Sequence, residues 1–205
     1  DKYLKTIVEI EIRKRYPQLM DFSFFYAILA DKASEEKGPR DVFFYAVDNE
    51  EINGLIERFD RQGKTVKAVF PHVLPLSRFI HRQQQQGPGG LKNALCLWSS
   101  ETEKTLFLLK NGQLRFVRIT ASASAGMQEM DVDNINMTVS YCRQQLRLDP
   151  EQIILVNCPV NMDEMPGRTV IPASNLEYDE NTKIPEDAFR SFLLPLSALL
   201  FREAL

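Results

Sequence analysis

"EKTLFLLKNGQLRFVRIT", Glu103 to Thr120, holds two apolar runs separated by Asn111 and Gly112. An Asn-Gly pair supplies the two positive-φ positions of a type I′ turn, whose twist matches that of the strands it joins. The spacing therefore predicts a tight hairpin, with strands over 104–110 and 113–120. Just before it, "NALCLWSS", Asn93 to Ser100, predicts a further strand of the same sheet.

After the hairpin, "TASASAGMQEM" is a small, polar link. A helix is expected from about Asp131 or Asp133, placing Ile135, Val139, Cys142 and Leu146 on one stripe. The two aspartates are the nearest acidic pair in the chain, and their position just ahead of that helix makes them N-caps rather than catalytic partners. "LDPEQ" reads as a turn, and "IILVN" as a short apolar strand of the kind buried in a parallel sheet. From Cys158 to Thr182 a loop is expected, with a brief strand at Thr169 to Pro172. Pro185 then opens a last helix bearing Phe189, Phe192, Leu193 and Leu196.

Working back from the hairpin, "QQQQGPGG", Gln83 to Gly90, packs poorly and predicts a hinge over 83–92. It divides a first domain, 1–82, from a second, 93–205. In the first, "YLKTIVEIEIRKRYP" predicts an amphipathic helix through Leu4, Ile7, Val8 and Ile12, ending at Pro17. "DFSFFYAILA" and "VFFYAV" predict paired strands. Alternation on a half-buried sheet accounts for most of their aromatic rows, with a binding surface as the other reading. Asp48 and Glu51 form a capping box ahead of a helix bearing Ile52, Leu55, Ile56 and Phe59, closed by Gly63. "KTVKAVFP" predicts a strand, making Val42 to Phe70 a β-α-β unit, and a helix follows from Val73 to Arg82.

Composition excludes several classes. With 25 basic and 28 acidic residues the formal charge is −3, and the one basic cluster, Arg13 to Arg15, lies on a charged helix face, so no footprint for nucleic acid exists. Cys96, Cys142 and Cys158 sit inside apolar patterns, which fits a reducing compartment and structural thiols. His72 and His81 lack partners at zinc spacing, so no metal is expected. The longest apolar run, Phe192 to Phe201, is half the length of a membrane span and carries Pro195, so it is expected to be a buried helix. No signal peptide is visible.

The order of elements resembles the actin-like ATPase superfamily, and more closely the PilM (type IV pilus assembly) and GspL (type II secretion) cytoplasmic-domain family. Three stretches carry the likeness: "FFYAVDNEEINGLIERFDRQGKTVKAVFPHVLPLSRFI", "EKTLFLLKNGQLRFVRI" and "VDNINMTVSYCRQQLRLDPEQIILVN". The resemblance implies an α/β, two-domain degenerate actin-like (ribonuclease H-like) fold with a small inserted helix-and-strand subdomain, in which 93–205 lacks the adenine-side subdomain. ATP-binding members use three turns. The first would lie upstream of Asp1. The second, Asp-hydrophobic-Gly followed by Thr, falls on "LWSSETEKT": Trp98 stands for the Asp, Ser100 for the Gly and Lys104 for the Thr, to within one residue. The Asp would support magnesium-bound water, and the Gly would let amides approach phosphate. Ser99, Ser100 and Lys104 can still offer hydrogen bonds or a cation, but none replaces that carboxylate. The third turn, Gly-Gly, is replaced by Cys158 and Pro159, and Pro159 has no amide hydrogen.

The implied role is a non-catalytic cytoplasmic scaffold, without cofactor, peripheral on the bacterial inner membrane. It would dock the N-terminal peptide of a PilN-like membrane protein, with Phe22, Phe24, Tyr26 and Phe44 as the candidate contact residues, and homo-oligomers are compatible with the role. Other platform proteins are further implied partners. An ATP-binding actin-like ATPase with a divergent phosphate loop is the alternative, and a bare oligomerisation module the third reading.

Overall fold

The computed structural model describes residues 2–18, 21–29, 41–86, 93–122, 124, 126–156, 158 and 169–172. It forms two compact units, Asp1–Pro71 and His72–Leu205.

In the first unit, helix α1 (Lys2–Arg15) lies on a two-stranded antiparallel sheet of β1 (Phe22–Leu29) and β2 (Asp41–Asp48). Successive strand side chains point to opposite faces. Phe22, Phe24 and Tyr26 of β1 therefore share a face with Val42, Phe44 and Ala46 of β2, and that face packs on Leu4, Val8 and Ile12 of α1. Helix α2 (Asn49–Asp60) follows directly, capped by the Asp48 carboxylate, which accepts from the Glu50 N–H at 2.8 Å. The expected box with Glu51 is thus replaced by a bond one residue earlier. Beyond α2, Gly63 takes the left-handed conformation, φ +68°, that favours glycine.

The expected β-α-β unit does not form. Residues 64–71 have no regular structure, and among the described residues β2 pairs with β1 alone. The alternating "KTVKAVF" has strand propensity, yet most of its residues are exposed, and propensity makes no strand without a neighbour to pair and pack with.

The second unit starts with α3 (Val73–Gln86) and carries a five-stranded sheet in the order β5-β4-β3-β6-β7. Its strands are β3 (Ala94–Ser99), β4 (Glu103–Lys110), β5 (Gln113–Ala121), β6 (Gln152–Val156) and β7 (Thr169–Pro172). β4 runs antiparallel between β3 and β5, whereas β6 is parallel to β3 and β7. Asn111 and Gly112 have φ of 51° and 74°, as the hairpin requires. Helix α4 (Glu129–Gln144) is the crossover from β5 to β6.

β3 and β6 are buried at every position, so both faces of the sheet are covered. On one face Leu95, Leu97, Leu106, Ile153 and Leu155 pack against Ile135 and Val139 of α4, with Cys158. Each such side chain contributes about 1.5–3 kcal/mol on burial. Cys142 is buried on the same helix, while Leu146, expected on that stripe, lies past the helix end and is half-exposed. α3 contacts β4 and β5, and its Val73, Leu76, Phe79 and Ile80 are buried.

Two boundaries differ from expectation. α3 continues through Gln83–Gln86, because glutamine is a good helix former and the first breakers are Gly87 and Pro88. The units divide between Pro71 and His72, which puts α3 with the second. The rest of the hinge, 87–92, the third-turn Pro159 and the last helix from Pro185 lie outside the described residues. Among the described residues, no helix is long and apolar enough to cross a membrane.

Candidate functional site

The stretch from Trp98 to Lys104 joins β3 to β4 at the end of the sheet where parallel strands finish, the usual place for a ligand crevice in α/β folds. Ser100 closes its turn on itself. Its N–H and hydroxyl both donate to the Glu103 carbonyl, at 2.9 and 3.0 Å, while the same hydroxyl accepts from the N–H groups of Thr102 and Glu103 at 3.3 and 3.1 Å. Amides that could cradle a phosphate are therefore aimed at a side chain of the turn.

Trp98 is buried, its ring packed against His72 with centroids 4.2 Å apart and the planes tilted by 37°. His72 also shares a 3.1 Å hydrogen bond with the Thr105 hydroxyl. Burial pushes its pKa below the ordinary 6.5, against the opposing pull of the Glu103 carboxylate. Ser99 is fully buried and bonds to the Cys158 thiol. Burial raises that thiol to about 11, despite the nearby Lys104 ammonium. Burial likewise raises Cys142 to about 11 and lifts Cys96 well above the ordinary thiol range, so all three free thiols favour the protonated form near neutral pH.

Lys104 does not reach outward. Only 1% exposed, its ammonium forms a buried ion pair with Asp131 and donates to the Gly126 carbonyl at 2.8 Å. A lysine at this depth is stable only with its charge countered and its protons bonded. Asp131 is accordingly not the N-cap of α4. Gln128 takes that position, and Asp131, three residues on, accepts from the Gln128 N–H at 2.8 Å. Asp133, the other expected cap, is an exposed residue inside the helix. Among the described residues no group of three His, Cys, Asp or Glu side chains could hold a metal ion.

The four aromatics proposed from sequence to meet a partner are brought together, but α1 covers them. Phe22 and Phe24 have centroids 6.1 Å apart, Phe24 and Tyr26 6.5 Å, and Phe44 joins the same cluster. Arg13 sits over the Phe22 ring and Lys5 over Phe24, at 5.2 and 5.9 Å. Their face is the core of the first unit. By alternation the opposite face carries Phe25, Phe43, Tyr45 and Val47, with Phe25 40% exposed. The sequence carried that signal in the alternate positions of the two aromatic runs, Phe25 in one and Phe43 and Tyr45 in the other.

No protein-family profile and no curated protein matches the chain. Among solved structures it is similar to the PilM-PilN type IV pilus biogenesis complex, with a TM-score of 0.62 and 16% identity, covering 96% of this chain and 72% of that one. It is also similar to a Bacteroides thetaiotaomicron protein with an actin-like ATPase fold and unknown function, with a TM-score of 0.51 and 14% identity. That match covers 83% of this chain and 61% of the other, so this chain spans about three-fifths of that protein. By its likeness to these solved structures the chain has the actin-like ATPase fold.

Proposed function

We propose that this chain is a non-catalytic scaffold of a type IV pilus or type II secretion assembly platform. It works at the cytoplasmic face of the inner membrane and docks the N-terminal tail of a PilN-like membrane protein. One observation supports the non-catalytic part: the four residues aligned with the phosphate turn are engaged within the chain. Trp98 packs against His72, Ser99 bonds to Cys158, Ser100 closes its own turn, and Lys104 is paired with Asp131. The docking part is supported by the shared fold and by the PilM-PilN complex among its structural neighbours.

Within the first unit we infer a docking surface on the sheet face opposite α1, around Phe25, Phe43 and Tyr45, where an extended tail can lay apolar side chains against these rings and pair its backbone with an outer edge of the sheet. The test is fluorescence anisotropy with a labelled peptide from the cytoplasmic N-terminus of a PilN-like membrane protein. Saturable binding, weakened at least tenfold by Phe25→Ala and indifferent to Mg-ATP, is expected. No peptide binding together with steady ATP hydrolysis would reverse the reading in favour of the ATPase.

A further inference from the structure

We propose that the chain binds a second copy of itself through its first unit, the outward face of α1 in one copy meeting the apolar stripe of α2 in the other. The inference does not depend on the docking role.

α1 is apolar on two sides. Leu4, Val8 and Ile12 pack on the sheet, while Tyr3, Ile7 and Ile10, also at helical spacing, face outward with exposures of 87%, 57% and 57%. A helix that is apolar all round is ordinarily covered all round, and the sheet covers only one side of this one. α2 has the matching feature. Ile52, Leu55, Ile56 and Phe59 keep helical spacing on it, yet none of its residues is buried, and Leu55 and Phe59 are 38% and 39% exposed. Scattered exposed apolar residues need no explanation, whereas a contiguous stripe marks an interaction surface.

Charge decides which stripe meets which. α1 carries five basic residues against two acidic ones, a formal +3, and α2 carries four acidic residues against one basic, a formal −3. Lys14, its side chain 75% exposed, continues the α1 stripe one turn beyond Ile10, and Glu51 and Asp60, both exposed, flank the α2 stripe. Two α1 faces would repel each other, and so would two α2 faces. α1 against α2 sets opposite charges around an apolar centre. An anionic lipid surface would suit α1 but would leave the α2 stripe uncovered; a second copy covers both. Because the two patches are unlike, the contact is heterologous, and each pair keeps one free patch of each kind unless a ring closes. Helices of 14 and 12 residues make a small interface, so a dissociation constant on the order of 10–100 μM is expected.

The experiment is sedimentation velocity on the full chain over a concentration series. The average mass should rise with concentration, and raising salt from about 0.05 to about 0.5 M should weaken the association about fivefold. Ile7→Gln/Ile10→Gln and Leu55→Gln/Phe59→Gln remove one stripe each while keeping good helix formers, and each alone should associate at least tenfold more weakly. Mixed together, they should form a one-to-one complex, since one still has α2 and the other still has α1. Circular dichroism checks that both are folded. Lys14→Glu, which leaves the apolar stripe intact, is a further α1 variant and should weaken low-salt association about threefold. A wild-type protein that stays monomeric throughout, or an α2 variant that associates as the wild type does, overturns the proposal. So does a mixture of the two folded variants that stays monomeric. Flotation with phosphatidylglycerol vesicles that is lost in Ile7→Gln/Ile10→Gln, with the wild type monomeric in solution, would assign the α1 face to the membrane instead.

Discussion

Gly112→Ala tests the hairpin on which the fold rests, and its effect has two separable parts. Gly112 has φ +74°, where a side chain brings its β-carbon against the backbone, at a cost of about 1–2 kcal/mol. The second part is steric. A β-carbon at Gly112 would lie 1.5 Å from Nδ1 of His81 and 2.5 Å from two other ring atoms, far inside the ~3.5–4.0 Å of ordinary contact. The imidazole of α3 must then leave its place against the turn, at a cost of about 1–3 kcal/mol for an overpacked site. Together the loss is roughly 2–5 kcal/mol. Denaturant unfolding read through Trp98, the single tryptophan, reports on the second unit. His81→Ala removes the obstructing ring, so Gly112→Ala/His81→Ala should be less destabilised than the sum of the single changes by about 1–3 kcal/mol. A Gly112→Ala protein within 0.5 kcal/mol of wild type, roughly the noise of an innocuous surface change, would refute the backbone argument. Strict additivity with His81→Ala would refute the steric one.

Other outcomes follow from single residues. His72 and His81 both have folded pKa values below 6.5, so the unfolded chain takes up more protons as pH falls through that value; stability should decline below about pH 6.5, and less steeply in His72→Phe. Protonating His72 against the Trp98 ring should also quench emission, with a midpoint below 6.5 that His72→Phe abolishes; a pH-independent emission would contradict the stack. Arg147 holds φ 53° just past α4, so Arg147→Gly should stabilise by about 0.5–1 kcal/mol, measured as a raised denaturation midpoint. Cys96, Cys142 and Cys158 should resist an aromatic disulfide reagent at pH 8 in the folded protein and react fully once it is unfolded; fast labelling of the native state would contradict their burial.

What the sequence makes legible is local chemistry with a short range. Asn111-Gly112 has one good use between two strands, "IILVN" has no polar face to show to water, and Ile135, Val139 and Cys142 keep helical spacing; each lands where its pattern puts it. Long-range pairing is less legible. Lys104 finds its counter-charge 27 positions away, and nothing in either local pattern distinguishes Asp131 as a buried partner from Asp131 as a cap. Period-two alternation shows that Phe22, Phe24 and Tyr26 share a face, but not that α1 covers it while Phe25 on the other face stays exposed. The stretch 64–70 has the composition of a strand, and only the absence of a pairing neighbour among the described residues decides against it.

Trp98, Ser99, Ser100 and Lys104 are engaged inside the chain, which leaves the phosphate turn little to offer a nucleotide. The most direct test is a calorimetric titration of the full-length protein with Mg-ATP. No saturable heat up to millimolar nucleotide is predicted, with Trp98 emission unchanged throughout. Saturable heat with micromolar affinity, lost when Ser99, Ser100 and Lys104 are replaced, would contradict it.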